Sequence, residues 1–350
     1  METDVLTRRE GEVGRITLNR PKALNALSLP MVRAIDAALD GFETDRGVCA
    51  VLLDGAGERG FCAGGDIRAL WDSAREGTNH AAGFWSEEYR LNSRIARFPK
   101  PIVAVMHGIT MGGGIGLGAH AAHRVVTENS VLAMPETNIG FIPDVGGTYL
   151  LSRAPGELGT HLALTAGRAN AADSLAAGLA DIFVPAARVP DIAGAIAGAR
   201  THDAVRAALA RLAGEAGASS LAAGRRWIDD CYEEEFDARA ILRALDKRPE
   251  AGAREAAAAI RRNSPRSVQV TLRALRRARN LADLEDCLAM EFRLAVQCTR
   301  QPDFIEGIRA AVVDKDRAPR WSPASLDALD SAEIDRYFAA TAETGAALAT

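Results

Sequence analysis

Aromatic residues make up only 5% of the 350-residue chain, and no apolar run approaches the roughly 18 residues needed to span a bilayer. No membrane-spanning helix is therefore expected. An excess of either charge is missing too: 42 Lys and Arg stand against 46 Asp and Glu, a net charge of −4 with both signs interspersed. That balance excludes a broad basic face for nucleic acid. The short Arg-rich run at 273–279 stands out and reads first as a solvated helix face, with a contact to an anionic ligand or partner as the alternative. Cysteine is sparse: Cys49, Cys62, Cys231, Cys287 and Cys298 are odd in number and form no C-x-x-C pair. They imply neither a disulfide frame nor a zinc site. Reduced thiols, together with an N-terminus METDVLTRRE that lacks an apolar signal core or an acid-free Arg/Ser-rich presequence, place the expected location in the cytoplasm.

Several catalytic signatures are also lacking. No serine sits in a G-x-S-x-G elbow, and no cysteine has a histidine in a nucleophile-like context. His120 and His123 lack a third ligand nearby, so structural roles are expected for both. Gly55, Gly57 and Gly60 satisfy G-x-G-x-x-G, but Gly60 leads into the loop F-C-A-G-G-D at 61–66. The dinucleotide fingerprint needs its third glycine inside a helix, so a turn before a functional loop is the better reading. Serine, metal and dinucleotide chemistry all recede.

What is present is a core-forming chain, 48% apolar, with an α/β order of elements. Alternation at 5–8 and 14–18 predicts a hairpin turning at Gly11, and Ser28 a helix start carrying Met31, Ile35, Leu39 and Phe42 on one face. Continuous apolar runs at 48–53 and 102–106 predict buried parallel strands. Helices are predicted at 81–98, from the glycine cluster to about residue 122, and at 145–151, 157–165 and 171–177, with short strands at 123–127 and 180–184. The acidic pair Glu87 and Glu88 reads as solvated surface, and Asp66 as a cap for the helix at Ile67. From about 190 the composition turns to Ala, Arg, Glu and Leu in helical patterns. Residues 1–190 are thus expected to form one region and 191–350 a mainly helical one.

The organising stretch is 111–149. Its glycines Gly112, Gly113, Gly114, Gly116 and Gly118 follow an apolar strand and open a helix, leaving backbone N–H groups free at the positive end of the helix dipole. A second glycine turn at Gly64 and Gly65 also lies between a strand and a helix. Two such turns at the same edge of a parallel sheet can aim two donors at one oxygen gaining negative charge. Glu136 and Asp144 follow in a Pro- and Gly-punctuated segment with few other charges. Carboxylate-assisted acyl chemistry is the reading these residues leave.

Four motifs in order, R-P-K-A-L-N-A-L (20–27), F-C-A-G-G-D (61–66), G-x-x-M-G-G-G (108–114) and M-P-E-T-N-I-G-F-I-P-D-V-G-G-T (134–148), resemble the crotonase, or enoyl-CoA hydratase/isomerase, superfamily. The likeness continues through S-P-R-S (264–267), A-M-E-F-R-L (289–294), D-F-I-E-G-I-R-A (303–310) and D-K-D-R-A-P-R-W (314–321). It implies an α/β fold: a ββα spiral core that binds coenzyme A thioesters, followed by a helical C-terminal region. By the same resemblance, Gly65 and Gly113 match the two amide donors to the thioester oxygen. Lys22, Ala23 and Leu24 match the loop near the adenine end, with Gly64 and Asp66 alongside in the substrate-binding loop. A hydratase of this superfamily carries two catalytic glutamates; here the first position is Gly116, while Glu136 fills the second. Asp144 stands where hydratases usually have glycine, and Glu88 in E-E-Y-x-L-N matches a substrate-contacting acid of the hydrolase branch. The resemblance therefore implies hydrolysis of a short branched 3-hydroxyacyl-CoA such as 3-hydroxyisobutyryl-CoA, an intermediate of valine catabolism. An enoyl-CoA hydratase or isomerase using Glu136 alone, and a non-catalytic acyl-CoA-binding protein, remain as alternatives. Coenzyme A enters as part of the substrate, no cofactor or metal is expected, and superfamily membership implies a homo-oligomer built on trimers.

Overall fold

The computed structural model describes residues 3–233 and 236–339. Its chain divides into two compact units. One comprises Met1–Gly65, Glu87–Leu132 and Ala169–Ser220, the other Asp66–Ser86, Ala133–Arg168 and Leu221–Thr350. This grouping differs from the 1–190 and 191–350 division read from composition, because composition reports local structure and not which distant segments pack together.

In the first unit the predicted hairpin forms as β1 (Val5–Glu10) and β2 (Val13–Leu18), turning at Gly11 with φ +61°. Parallel strands then extend the sheet: β3 (Ala50–Gly55), β4 (Ile102–Val105), β6 (His123–Val126) and β9 (Ile182–Phe183), in the order β1-β2-β3-β4-β6-β9. A second sheet runs in the order β5 (Ile109–Met111), β7 (Val131–Ala133) and β8 (Arg168–Ala169). The two three-residue strands escaped the sequence reading, since periodicity needs a longer run.

Helix α1 (Leu29–Thr44) buries Met31, Ile35, Leu39 and Phe42, as its spacing predicts. Gly14 on β2 explains how close it comes: a Cβ there would lie 2.7 Å from the Phe42 ring. Helices α2 (Ile67–Glu76), α3 (His80–Ala96) and α4 (Gly113–Gly118) follow. α4 stops at Gly118, four residues short of the predicted end. Next come α5 (Gly147–Ser152), α6 (Leu158–Thr165) and α7 (Ala171–Ala176). On one face of the six-stranded sheet Val13, Leu52, Val103 and Val125 pack with Ile192 and Ile196 of α8 (Ile192–Ile196) and Val205 of α9 (His202–Ala210). Each such buried aliphatic side chain contributes about 1.5–3 kcal/mol.

The second unit is largely helical. After α10 (Ser220–Tyr232), α11 (Ala238–Asp246) and α12 (Ala251–Arg262) come α13 (Pro265–Ala278) and α14 (Leu284–Thr299). α15 (Pro302–Ile308) runs on into a π-helical turn, Arg309–Val313, and α16 (Ser331–Tyr337) closes the described chain. The Arg-rich run is only partly a solvated face: Arg277 and Arg279 are exposed, but Arg276 is not. Arg276 is 4% exposed and pairs with Glu157 at 2.9 Å, Arg279 reaches the same carboxylate at 2.6 Å, and Arg273 pairs with Asp335. A buried acid on α6's N-terminal flank draws the basic side of α13 inward. Among the described residues no helix is long and apolar enough to cross a membrane.

Candidate functional site

In the first unit the loop 61–65 leaves the sheet edge and is sewn to its neighbour. Phe61 N–H donates to His107 O (2.8 Å), Cys62 N–H to Ile109 O (3.2 Å) and Met111 N–H to Cys62 O (2.9 Å). On its other side Ala63 N–H donates to Leu24 O (3.0 Å) and Leu27 N–H to Gly64 O (2.8 Å). Asn25 anchors that outer loop: fully buried, it donates to Ala56 O and Gly60 O at 3.1 and 3.0 Å and accepts from Arg20 N–H at 2.8 Å. Lys22 and Ala23 are exposed on the 3-10 turn Pro21–Ala23, and Leu24 caps that turn in the left-handed region. Gly60 forms a bridge with Gly108 rather than entering a helix, so no dinucleotide fold arises from 55–60.

Gly64 has φ +110° and Gly112 φ 49°, ψ −120°, conformations open to glycine alone. They turn the amides of the residues that follow out of the backbone network. Neither the Gly65 nor the Gly113 N–H donates to a protein acceptor among the described residues. The two turns meet: a Cβ on Gly113 would lie 3.3 Å from Gly65 N and 2.5 Å from Glu88 Oε1. Glu88 is thus not solvated surface. It is 2% exposed, whereas its neighbour Glu87 forms the surface pair with Arg33. One helical turn on, Asn92 is fully buried, and neither end of its amide has a partner among the described residues. Gly116 lies inside α4, its N–H bonded to Gly112 O, and brings no side chain.

The second unit holds the carboxylates. Glu136 opens the 3-10 turn Glu136–Ile139, which Gly140 ends at φ +73° against the backbone of Asp303, where a Cβ would come within 2.1 Å. Phe141 then stacks on Trp85 at 5.2 Å and tilts onto Phe304 at 5.4 Å. Thr137, next to Glu136, is gripped from the tail: Ser264 N–H donates to its carbonyl at 3.0 Å and Asn263 Nδ2 to its hydroxyl at 3.2 Å. Ser264 itself donates to Asp303 at 2.6 Å, and Arg266 pairs with Asp303 at 3.4 Å. The tail motifs S-P-R-S and D-F-I-E-G-I-R-A therefore brace the turn that carries Glu136.

Asp144 does not cap a helix at Val145. α5 starts only at Gly147, and the intervening Val145 and Gly146 are both left-handed, φ 53° and 78°. Glu291 on α14 holds this turn, accepting Gly146 N–H and Thr148 N–H at 2.7 Å each and the Thr148 hydroxyl at 2.5 Å. Glu136, Asp144 and Glu291 are all buried. Burial first, then the Asp144 and Glu291 charges, hold Glu136 well above the usual carboxylate range, and its Oε2 lacks a partner among the described residues. Burial pushes Glu291 up to about 8, against the pull of its three donors. Asp66 occupies the N-cap of α2, yet its side chain makes no capping bond. Among the described residues no group of three or more His, Cys, Asp or Glu could hold a metal ion; His123 packs beside His202 at 3.4 Å.

Glu291 and Asn92 were missed from the sequence as site residues. A signal for the first existed: it is a lone acid on the apolar stretch Cys287, Leu288, Met290, Phe292 of α14.

The sequence model of the enoyl-CoA hydratase/isomerase family matches residues 13–338. The chain belongs to that family. Among its relatives is the mitochondrial 3-hydroxyisobutyryl-CoA hydrolase of Gallus gallus, 39% identical over 343 residues, 96% of this chain and 88% of the relative. Two solved members of the family superpose closely. A carnitinyl-CoA dehydratase from Mycobacterium thermoresistibile is 47% identical with TM-score 0.92, covering 97% of this chain and 98% of its own. An enoyl-CoA hydratase from Rhodobacter sphaeroides is 43% identical with TM-score 0.90, covering 98% and 99%. The fold is accordingly the crotonase α/β spiral with a helical C-terminal region. The cytoplasmic expectation is overturned by the hydrolase relatives, which are mitochondrial by name. Reduced thiols speak against an oxidising compartment without choosing among the reducing ones.

Proposed function

We propose that the protein hydrolyses a short branched 3-hydroxyacyl-CoA, 3-hydroxyisobutyryl-CoA above all, to the free acid and coenzyme A, a step of valine catabolism. The observation that carries the reading is the exchange of acids: Gly116 leaves α4 without a proton carrier, while Asp144 and Glu136 are both buried and the Asp144 charge helps to hold Glu136 above the usual carboxylate range. The hydrolase relatives, 37–39% identical over most of the chain, support it.

In this reading the thioester oxygen accepts the Gly65 and Gly113 N–H groups, each lowering the barrier by about 3 kcal/mol as negative charge develops. Lys22, Ala23 and Leu24 line the approach of the nucleotide end, and Gly64, Asp66 and Glu88 contact the substrate. Ionised Glu136 either takes a proton from the attacking water or attacks the carbonyl itself, giving a mixed anhydride that water then opens. On either route the tetrahedral intermediate collapses, the C–S bond breaks, and coenzyme A leaves with a proton from the carboxyl pair. A raised carboxyl suits this exchange, because burial and the neighbouring charge make it take up a proton more readily than a free one. Mass spectrometry of the protein after turnover in ¹⁸O-water separates the routes: label in Glu136 marks the anhydride. The reading uses no cofactor or metal, and it includes assembly on trimers, which sedimentation measures.

The solved relatives named as a hydratase and a dehydratase are more identical to this chain than the hydrolases are, and they favour a second reading, water addition to or removal from an enoyl-CoA by Glu136 alone. Thiol release from 3-hydroxyisobutyryl-CoA, set against hydration of crotonyl-CoA, tests the two; a protein that binds thioesters and does neither is the idle acyl-CoA binder.

A further inference from the structure

Val145 is a β-branched residue at φ 53°, followed by Gly146 at φ 78°. For valine this is a costly conformation that persists only where the surroundings impose it. Three bonds from one side chain do the imposing. Glu291 Oε2 accepts Gly146 N–H, and Oε1 accepts both donors of Thr148, so the carboxyl spans the turn from its strained corner to the first residues of α5. The turn closes on Asp144 itself, whose carbonyl accepts Gly147 N–H at 2.6 Å. Glu291 is fully buried on a helix whose other inward residues are apolar, a costly place for an acid unless it has work there.

We infer that Glu291 is a positioning residue for the reaction: it holds the Asp144 turn in a strained conformation and thereby fixes the Asp144 carboxyl relative to Glu136. This rests on the reading that Asp144 serves catalysis. All three groups facing Glu291 donate, which suits an ionised carboxylate, so the variants are compared above pH 8, where the acid has lost its proton. Glutamine keeps the volume but turns an NH₂ toward one of them, and the bond to Gly146 is the one that opposes the strain.

The test compares Glu291→Gln, Val145→Gly and the double variant in the full chain, with Asp144→Asn beside them, in thiol release from 3-hydroxyisobutyryl-CoA. E291Q is expected to lower kcat at least about tenfold with KM within about twofold. V145G alone keeps most of its rate, and the double variant regains much of what E291Q lost, since glycine adopts φ 53° without being held. Should E291Q not fold, Thr148→Val, which removes only the hydroxyl donor, is expected to lower kcat about threefold at unchanged KM. Wild-type kcat in E291Q, or a loss that V145G leaves unrepaired, overturns the inference, as does unchanged kcat in T148V if that variant is needed. An Asp144→Asn variant with full activity overturns instead the reading of Asp144 on which it rests.

Discussion

Gly113→Ala puts a methyl between the two free amides, and its effect is read beside that of Glu88→Gln because the same methyl also meets the Glu88 carboxyl. Gly113 is the first residue of α4 and, unlike Gly112, has no positive φ, so alanine meets no backbone penalty there and improves helix propensity. The added methyl would meet Glu88 Oε1 at 2.5 Å and Leu27 Cδ1 at 3.1 Å, so the buried Glu88 carboxyl must shift. The thermal melt reads the cost of that shift separately from the loss of rate. Catalysis should not be spared. The same methyl sits 3.3 Å from Gly65 N, on the ground a bound oxygen must occupy to reach both amides. Losing one such donor costs about 2.7–4 kcal/mol of transition-state stabilisation, roughly a 10²–10³-fold drop in kcat. The assay is continuous thiol detection with 3-hydroxyisobutyryl-CoA at saturating substrate, paired with a thermal melt. A G113A protein that melts like wild type and turns over within about threefold of it would refute the oxyanion role of this pair.

Glu136→Gln is expected to cut thiol release by roughly 10²–10⁴ while coenzyme A binding, followed by calorimetry, persists. Gly140→Ala places a Cβ 2.1 Å from Asp303 O at φ +73°, so it should lower Tm and activity together, by thermal melt and thiol assay. Stability should also depend on pH through Glu291. Burial pushes its folded pKa up to about 8, above the ordinary 4.5 of a glutamate, so between those values the folded state holds a proton that the unfolded state has released. Stability thus falls as pH rises from about 4.5 to 8, by a few kcal/mol at most. Urea denaturation of E291Q across that range should show a flatter dependence than wild type.

The elements legible in the sequence were those with a period or a cap. The β1–β2 hairpin, α1 and the apolar strands β3 and β4 came from patterns several residues long. Strands β5 and β7 have three residues each and carry no period. Glu88 looked like surface because an acidic pair says nothing of which member turns inward; the helix settles it by facing Glu87 to Arg33 and Glu88 to Gly113. Both glycine turns were readable as turns, since only glycine tolerates the backbone of residues 64 and 112. Glu291 was not, because its partners Gly146 and Thr148 lie over 140 residues away and no local pattern links them. The Arg-rich run misled in part for the same reason: Glu157, which draws Arg276 inward, is far off in sequence.

The most direct test follows one purified protein on two substrates: coenzyme A thiol appearing from 3-hydroxyisobutyryl-CoA, and loss of enoyl absorbance from crotonyl-CoA. A chain with glycine at 116 and an acid at 144 should release thiol with multiple turnovers and leave crotonyl-CoA essentially unchanged. Rapid hydration of crotonyl-CoA with no thiol released from the hydroxyacyl thioester would contradict the hydrolase account.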